Sequence, residues 1–202
     1  MSSRDLTSKE ERSVDLDHAT LNRWVVKYSP LIAKEARKQK HNVETSWRMD
    51  ETYIKVKGVW VYLYRALDKH GKTVDFMLSK IRDEEAATLF FEKAIGNNAL
   101  PEKVVMDKCG ANRAGLNNIN LYLLLVGCWL SFIAILQVKY LNNIIEQDHR
   151  SVKRLTRAMM GFKAFHSAEA TLEGIETAHM IRKVQIGQQD IPAYRQFMAL
   201  AG

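Results

Sequence analysis

The chain has 202 residues, a formal net charge of +7, 47% hydrophobic residues and 26% charged ones. That length holds one catalytic-size domain with a small appendage and excludes two large domains, and the composition excludes wholesale disorder. The positive balance selects a polyanionic partner, of which nucleic acid is the commonest.

Along the chain, the polar start "MSSRDLTSKEERS" has no apolar core, so no secretory signal is expected and the chain reads as cytoplasmic. In "DHATLNRWVVKY", Leu21, Trp24, Val25 and Tyr28 recur at helical spacing behind a capping Asp17, and Pro30 is expected to end that helix. A second basic helix, "LIAKEARKQK", then a linker to about residue 45 complete this end, which is locally cationic.

Three strand-like segments follow, near 47 to 57, 59 to 67 and 72 to 79, with Gly58 and "DKHG" as turns of an antiparallel meander. Residues 83 to 96 have a helical pattern broken by "NNALP", and "KVVMD", 103 to 107, reads as a buried parallel strand reached by a helical crossover. The run "LYLLLVGCWLSFIAIL", 121 to 136, carries no charge but falls short of the about 20 residues that span a membrane, and is expected in the buried core. A strand-like "ILQVKYL", a helix from about 143 to 157 and a last helix from about 167 to 183 give the order β-β-β-α-β-α-β-α, an α/β mixed sheet with helices.

Acids stand where this pattern does not ask for them. Asp50 lies inside the most hydrophobic hairpin, its neighbour Glu51 must face the other side of the sheet, and Asp107 closes an apolar strand at its carboxyl end. On the helix "NNIIEQDHRSVKRLTR", Glu146, Arg150, Lys153 and Arg157 share one face while Ile145, Val152, Leu155 and Met159 share the opposite one. Asp148 falls on the apolar side without a reason visible in the sequence. The polar face suits a solvated surface with i,i+4 pairs as well as a metal-binding carboxylate beside phosphate-binding cations. Three carboxylates from two strands and a helix suit two Mg²⁺ ions in phosphoryl transfer, because hard cations take oxygen ligands.

Other candidates are weaker. "GKT" at 71 to 73 lacks the upstream glycine of a phosphate loop. His149 reads as structural or DNA-facing before it reads as an acid or base. Trp47, Trp60, Tyr62 and Tyr64 have the chemistry to stack on bases, but strand alternation assigns most of them to the core. Cys109 and Cys128 form no CxxC pair, Cys109 has no visible base, and the six histidines show no ligand spacing.

"WRMDETYIKVKGVWVYLYRALDKHGKTVDF", "MDK" at 106 to 108, "QVKYLNNIIEQDHRSVKR" and "MMGFKAFHSAEATLEGIETAHMIRK" occur in an order that resembles the bacterial insertion-sequence transposases of the IS-six (IS-twenty-six-like) family, from about residue 14 to 185. The resemblance implies a DDE transposase with an RNase H-like, retroviral integrase-type core: a mixed sheet flanked by helices, behind a partial N-terminal helix-turn-helix. It implies catalytic and metal-binding roles for Asp50, Asp107 and Glu146, and a DNA-holding role for Lys153. The cofactor expected is a pair of Mg²⁺ ions, with Mn²⁺ as substitute, for cleavage at terminal inverted repeats and strand transfer into target DNA. Lys139, Arg150 and Arg157 are expected on phosphates, and Arg23 and Trp24 near inverted-repeat DNA.

The expected divisions are a shortened helix-turn-helix region and linker over 1–45, a catalytic core over 46–165 and a C-terminal helix and tail over 166–202. A homo-oligomer on DNA, associated with the nucleoid and without a membrane, completes the expectation. Two departures from the family pattern, a shorter front end and the thirty-eight residues between Asp107 and Glu146, motivate an alternative: a catalytically inactive remnant that binds DNA or a full-length transposase.

Overall fold

The structure is a computed structural model that describes residues 17–138, 143–159, 161–187 and 191–201. Strands β1 (Ser46–Val56), β2 (Val59–Asp68) and β3 (Thr73–Ser79) form the antiparallel meander. The first hairpin turns on Lys57 and Gly58, both at positive φ (51° and 80°), which matches the twist of the flanking strands. In the second, the Asp68 carboxylate accepts from the backbone N–H groups of His70 and Lys72 at 2.9 Å and replaces the missing ladder bonds.

Helix α1 (His18–Lys38) precedes the sheet. After it come α2 (Glu84–Asn97), β4 (Lys103–Val105), α3 (Gly110–Leu125), a 3₁₀ turn over Trp129–Ser131, β5 (Ala134–Leu136), α4 (Asn143–Ala158), α5 (Phe165–Arg182) and α6 (Ala193–Leu200). The sheet order is β3-β2-β1-β4-β5, with β4 and β5 joined in parallel to the β1 side. This is the mixed sheet flanked by helices that the sequence pattern predicts.

Strand alternation divides the core into two layers. Trp47, Met49, Tyr64, Ala66, Val104 and Met106 face α2 and α3 and meet Phe90, Phe91, Ala94, Leu116 and Ile119. Ile54, Val56, Val61, Leu63, Phe76 and Leu78 face the other way, where Val152 of α4 and Ala168 and Leu172 of α5 cover them. Asp83 caps α2 by accepting from Ala86 N–H at 2.8 Å.

Five expectations change. Pro30 does not end the first helix: α1 runs through it, and the separate basic helix is its second half. The proline removes one backbone bond, but α1 lies along α5, where Ala36 in the half after Pro30 packs with Met180 and Ile181, and this docking offsets the loss. The apolar run is buried only in part: Ile133 is in the core, but Leu121, Leu124, Leu125, Trp129 and Leu130 are exposed. Helix α3 covers α2 with Leu116 and Ile119 and ends at Leu125, so the rest of the run projects outward before Asn120 fastens the chain again through both backbone groups of Ile133 (2.9 and 3.0 Å). The strand after it is limited to Ala134–Leu136 among the described residues. On α4, Ile145 and Val152 are buried but Leu155 and Met159 are exposed. The tail also carries a helix, α6, that the sequence reading left as tail.

Candidate active site

The neighbour β4 pairs with β1 only along Ser46, Trp47 and Arg48. Beyond that, the described residues place no ladder partner on this edge of β1 until Phe162 forms an isolated bridge with Val56. Helix α4 lies against the sheet here, anchored by Val152. Between strand edge and helix is a cleft of about 260 Å³, lined by Asp50, Glu51, Thr52 and Tyr53 from β1 and by Glu146, His149, Arg150 and Lys153 from α4. The helical residues stand at i, i+3, i+4 and i+7, so one face of α4 supplies all four.

Two consecutive residues of α4 grip two level residues of the hairpin. Asp50 is opposite Arg65 in the β1–β2 register. His149 is buried, with Nε2 3.3 Å from Asp50 Oδ2. Asp148 accepts from the Arg65 guanidinium at 2.5 Å and meets Lys183 Nζ at 2.8 Å. Burial alone would push the Asp148 carboxyl upward, but Arg65 and Lys183 outweigh it and hold the group below its usual range. The acid on the apolar face of α4 is thus the partner of a buried arginine. Sequence reasoning missed this, since neither helical spacing nor strand alternation indicates which cation will face it.

Glu51 borders the cleft, but its carboxylate is turned to the opposite side of β1, where it accepts from Arg82 Nε at 2.6 Å and from the Asn112 amide. Burial lowers the affinity of Arg82 for its proton and the Glu51 carboxylate more than restores it, so its pKa is raised. Of the adjacent acids, Glu51 therefore ties the strand to its neighbours, and Asp50 faces α4.

Asp107 follows β4, whose backbone continues one residue further with Met106 N–H donating to Leu136 O at 3.0 Å. Trp47 is level with Val104, and both face α2 and α3. Met49 and Met106 belong to that same cluster, and Asp107 is the second residue beyond Val105, where β4 and its pairing with β1 end. The structure thus brings Asp50 and Glu146 into one cleft, while Asp107, just past the end of β4, is outside the cleft lining. Among the described residues, no three His, Cys, Asp or Glu side chains form a ready-made metal cage. The donors are carboxylate oxygens entering from strand and helix, a set whose chemistry fits a hard divalent cation.

The remaining predicted residues divide. Arg150 and Arg157 are exposed on α4, and Lys153 Nζ sits 5.8 Å from the Tyr53 ring centre. Arg23 and Trp24 lie apart from the cleft on α1, with Arg23 Nη2 donating to Thr20 Oγ1 at 3.1 Å. Lys139 lies outside the described residues. Trp47 and Tyr64 are core, Tyr62 is half-buried, and Trp60 and Tyr53 are exposed. Among the described residues no helix is long and apolar enough to cross a membrane.

The family profile described as a DDE domain matches residues 44–185. The transposase for the insertion sequence-like element IS431mec of Staphylococcus aureus (strain Mu50) is 38% identical over 186 residues, covering 91% of this chain and 79% of that protein. The chain belongs to the IS-six family of DDE transposases. A second such transposase, for the element IS257 in transposon Tn4003 of Staphylococcus aureus, is 38% identical over 174 residues, or 85% of this chain and 73% of that one. The catalytic core domain of BIV integrase overlays this transposase with a TM-score of 0.50 at 15% identity, over 77% of this chain and 95% of that one. The shared fold is the RNase H-like core.

Proposed function

We propose that this transposase cuts DNA at insertion-sequence ends and joins the strands to target DNA with Asp50, Asp107 and Glu146 as its catalytic carboxylates. The observation that carries this reading is the single cleft shared by Asp50 and Glu146 and bordered by Arg150 and Lys153. Asp107, two residues past the end of the neighbouring β4, is assigned as the third carboxylate. Together they would hold two Mg²⁺ ions, or Mn²⁺ in their place; such ions, when bound, activate the attacking oxygen and stabilise the leaving one.

The chain's own residues set the geometry. Asp50 is fixed by a central strand and by His149, and Glu146 by a helix whose buried Ile145 and Val152 lock it to the sheet. Arg150, Lys153 and Arg157 hold the strand by its phosphates, which gives position and affinity without sequence choice. Lys139 belongs to the same phosphate-binding set, and Arg23 and Trp24, on α1, are assigned to inverted-repeat DNA further from the cleft. The exposed apolar surface of Leu121, Leu125, Trp129 and Leu130 supports assembly of several copies on DNA.

The test is a Mg²⁺-dependent strand-transfer assay on DNA carrying insertion-sequence ends. Asp50→Asn, Asp107→Asn and Glu146→Gln are each expected to abolish joined product while DNA binding persists. Product from any of the three at the parent's level removes that residue from the assignment.

A further inference from the structure

Next to the carboxylate cleft, and sharing Tyr53 and Lys153 with it, runs a groove of about 760 Å³. Its floor is aromatic: Tyr53, Trp60 and Tyr62 stand on one face of the β1–β2 hairpin, because Tyr53 is level with Tyr62 and Lys55 with Trp60. The Tyr53 ring meets both neighbours edge-on, at 6.1 Å from each. Trp60 is 59% exposed and Tyr53 51%, so neither ring is consumed by the core. The wall is cationic: Lys153 and Arg157 come from α4 and Lys55 from the hairpin, with Lys55 Nζ 5.8 Å from the Trp60 ring centre. No carboxylate lines it among the described residues.

Exposed aromatic rings beside cations, with no acid among the described lining residues, match what unpaired nucleotides need, a π-face for each base and a positive charge for each phosphate. Paired bases within a duplex offer no free faces, so the rings would go unused. An acidic peptide would satisfy the cations but leave the aromatic floor without a specific partner. The groove's continuity with the cleft through Tyr53 and Lys153 would bring there the nucleotides next to a phosphodiester seated in the cleft.

We propose that this groove binds unpaired nucleotides of the DNA strand leaving the carboxylate cleft, with bases against Trp60 and Tyr53 and phosphates on Lys153 and Arg157. The proposal rests on the preceding functional reading only for where that strand comes from. Its physical consequence is that melting of a few base pairs beside the cut is stabilised by the protein, since each stacked base returns part of the unpairing cost.

The experiment uses the full chain without divalent metal, so that binding is read without cleavage. Fluorescence anisotropy compares a blunt duplex with the same duplex carrying a short single-stranded thymine overhang. The parent is expected to prefer the overhang, and Trp60→Ala to weaken overhang binding at least about fivefold while changing blunt-duplex binding less than about twofold. Trp60→Phe keeps a ring and is expected to keep the preference. With 2-aminopurine in the overhang, binding quenches its fluorescence in the parent and in Trp60→Phe, which reads stacking directly. Absence of a preference or of quenching in the parent, equal weakening of both DNAs by Trp60→Ala, or displacement of the overhang by oligoglutamate as readily as by oligothymidine overturns the proposal. Strand transfer retained without an overhang preference removes this inference alone, whereas a preference that survives beside an Asp50→Asn protein as active as the parent removes only the catalytic assignment.

Discussion

Arg65 is enclosed in the interior with its guanidinium 2.8 Å from the Glu176 carboxylate, and both side chains are 1% exposed. The pair joins β2 to α5, and Asp148 brings α4 to the same guanidinium. Burial would weaken the arginine's hold on its proton, but Glu176 and Asp148 outweigh that and raise its pKa, so it stays charged. Level with Arg65 on the next strand is Asp50, so the same charge cluster that fastens the hairpin to two helices also fixes the cleft's central acid.

Removing Arg65 should therefore be severe. Arg65→Met leaves Glu176 buried without its cation, at a cost of about 3–5 kcal/mol in chemical denaturation. Arg65→Met with Glu176→Leu should recover much of this, since Asp148 keeps Lys183. A double variant no more stable than the single one would contradict the idea that the stranded carboxylate is the source of the loss.

Gly115 sets the spacing of α2 and α3. A Cβ there would lie 2.7 Å from Ala87 Cβ and 2.8 Å from the Thr88 backbone nitrogen. Alanine is favoured over glycine inside a helix by about 1 kcal/mol, while forcing packed backbones apart costs about 1–3 kcal/mol. Gly115→Ala is expected to lower stability by about 1 kcal/mol net. A raised melting temperature would show that the two helices separate freely.

Lys40 donates to Val74 O at 2.6 Å and Asn98 Oδ1 at 2.7 Å, and burial pushes its pKa down to about 8 from 10.5. The unfolded chain therefore binds the proton more tightly than the folded one. Between about pH 8 and 10.5 the unfolded state carries more protons, so stability relative to Lys40→Met should rise with pH across that window and level off above it. A difference that is flat or falls from pH 7.5 to 10 would place the ammonium in a better-compensated site.

Lys153 borders both the cleft and the aromatic groove. If it holds a phosphate, Lys153→Ala weakens DNA binding to all sequences alike and reduces the slope of log K against log salt by about 1. Titrations at a series of potassium chloride concentrations read this, and an unchanged slope would take Lys153 off the phosphate backbone.

The apolar surface beyond α3 predicts self-association. Leu130 is fully exposed and Leu125 is 76% exposed, and a patch of this kind on a basic chain is best covered by a second copy. Sedimentation should show the parent as an oligomer and Leu125→Glu with Leu130→Glu as a smaller species. A parent that sediments as a monomer over the whole accessible concentration range would assign the patch another role.

What the sequence by itself determined is everything that depends on near neighbours in the chain. Alternation fixed β1, β2 and β3, Gly58 marked the first hairpin, the helical pattern from residue 83 marked α2, and one helical face gathered Glu146, Arg150, Lys153 and Arg157. Only the tertiary structure decided how those units meet. Pro30 stays inside α1 because α5 holds the half after it through the buried Ala36, and most of the uncharged run after Leu121 is exposed because α3 has a single packed face. Asp148 belongs to Arg65 of another element, and Trp60 and Tyr53 are exposed because α2 and α3 cover the other end of that sheet face, at Trp47, Met49 and Tyr64. Periodicity is set by backbone geometry, which each segment carries within itself. Burial, charge pairing and strand offset are set by what arrives from elsewhere in the chain, and no local pattern encodes that arrival.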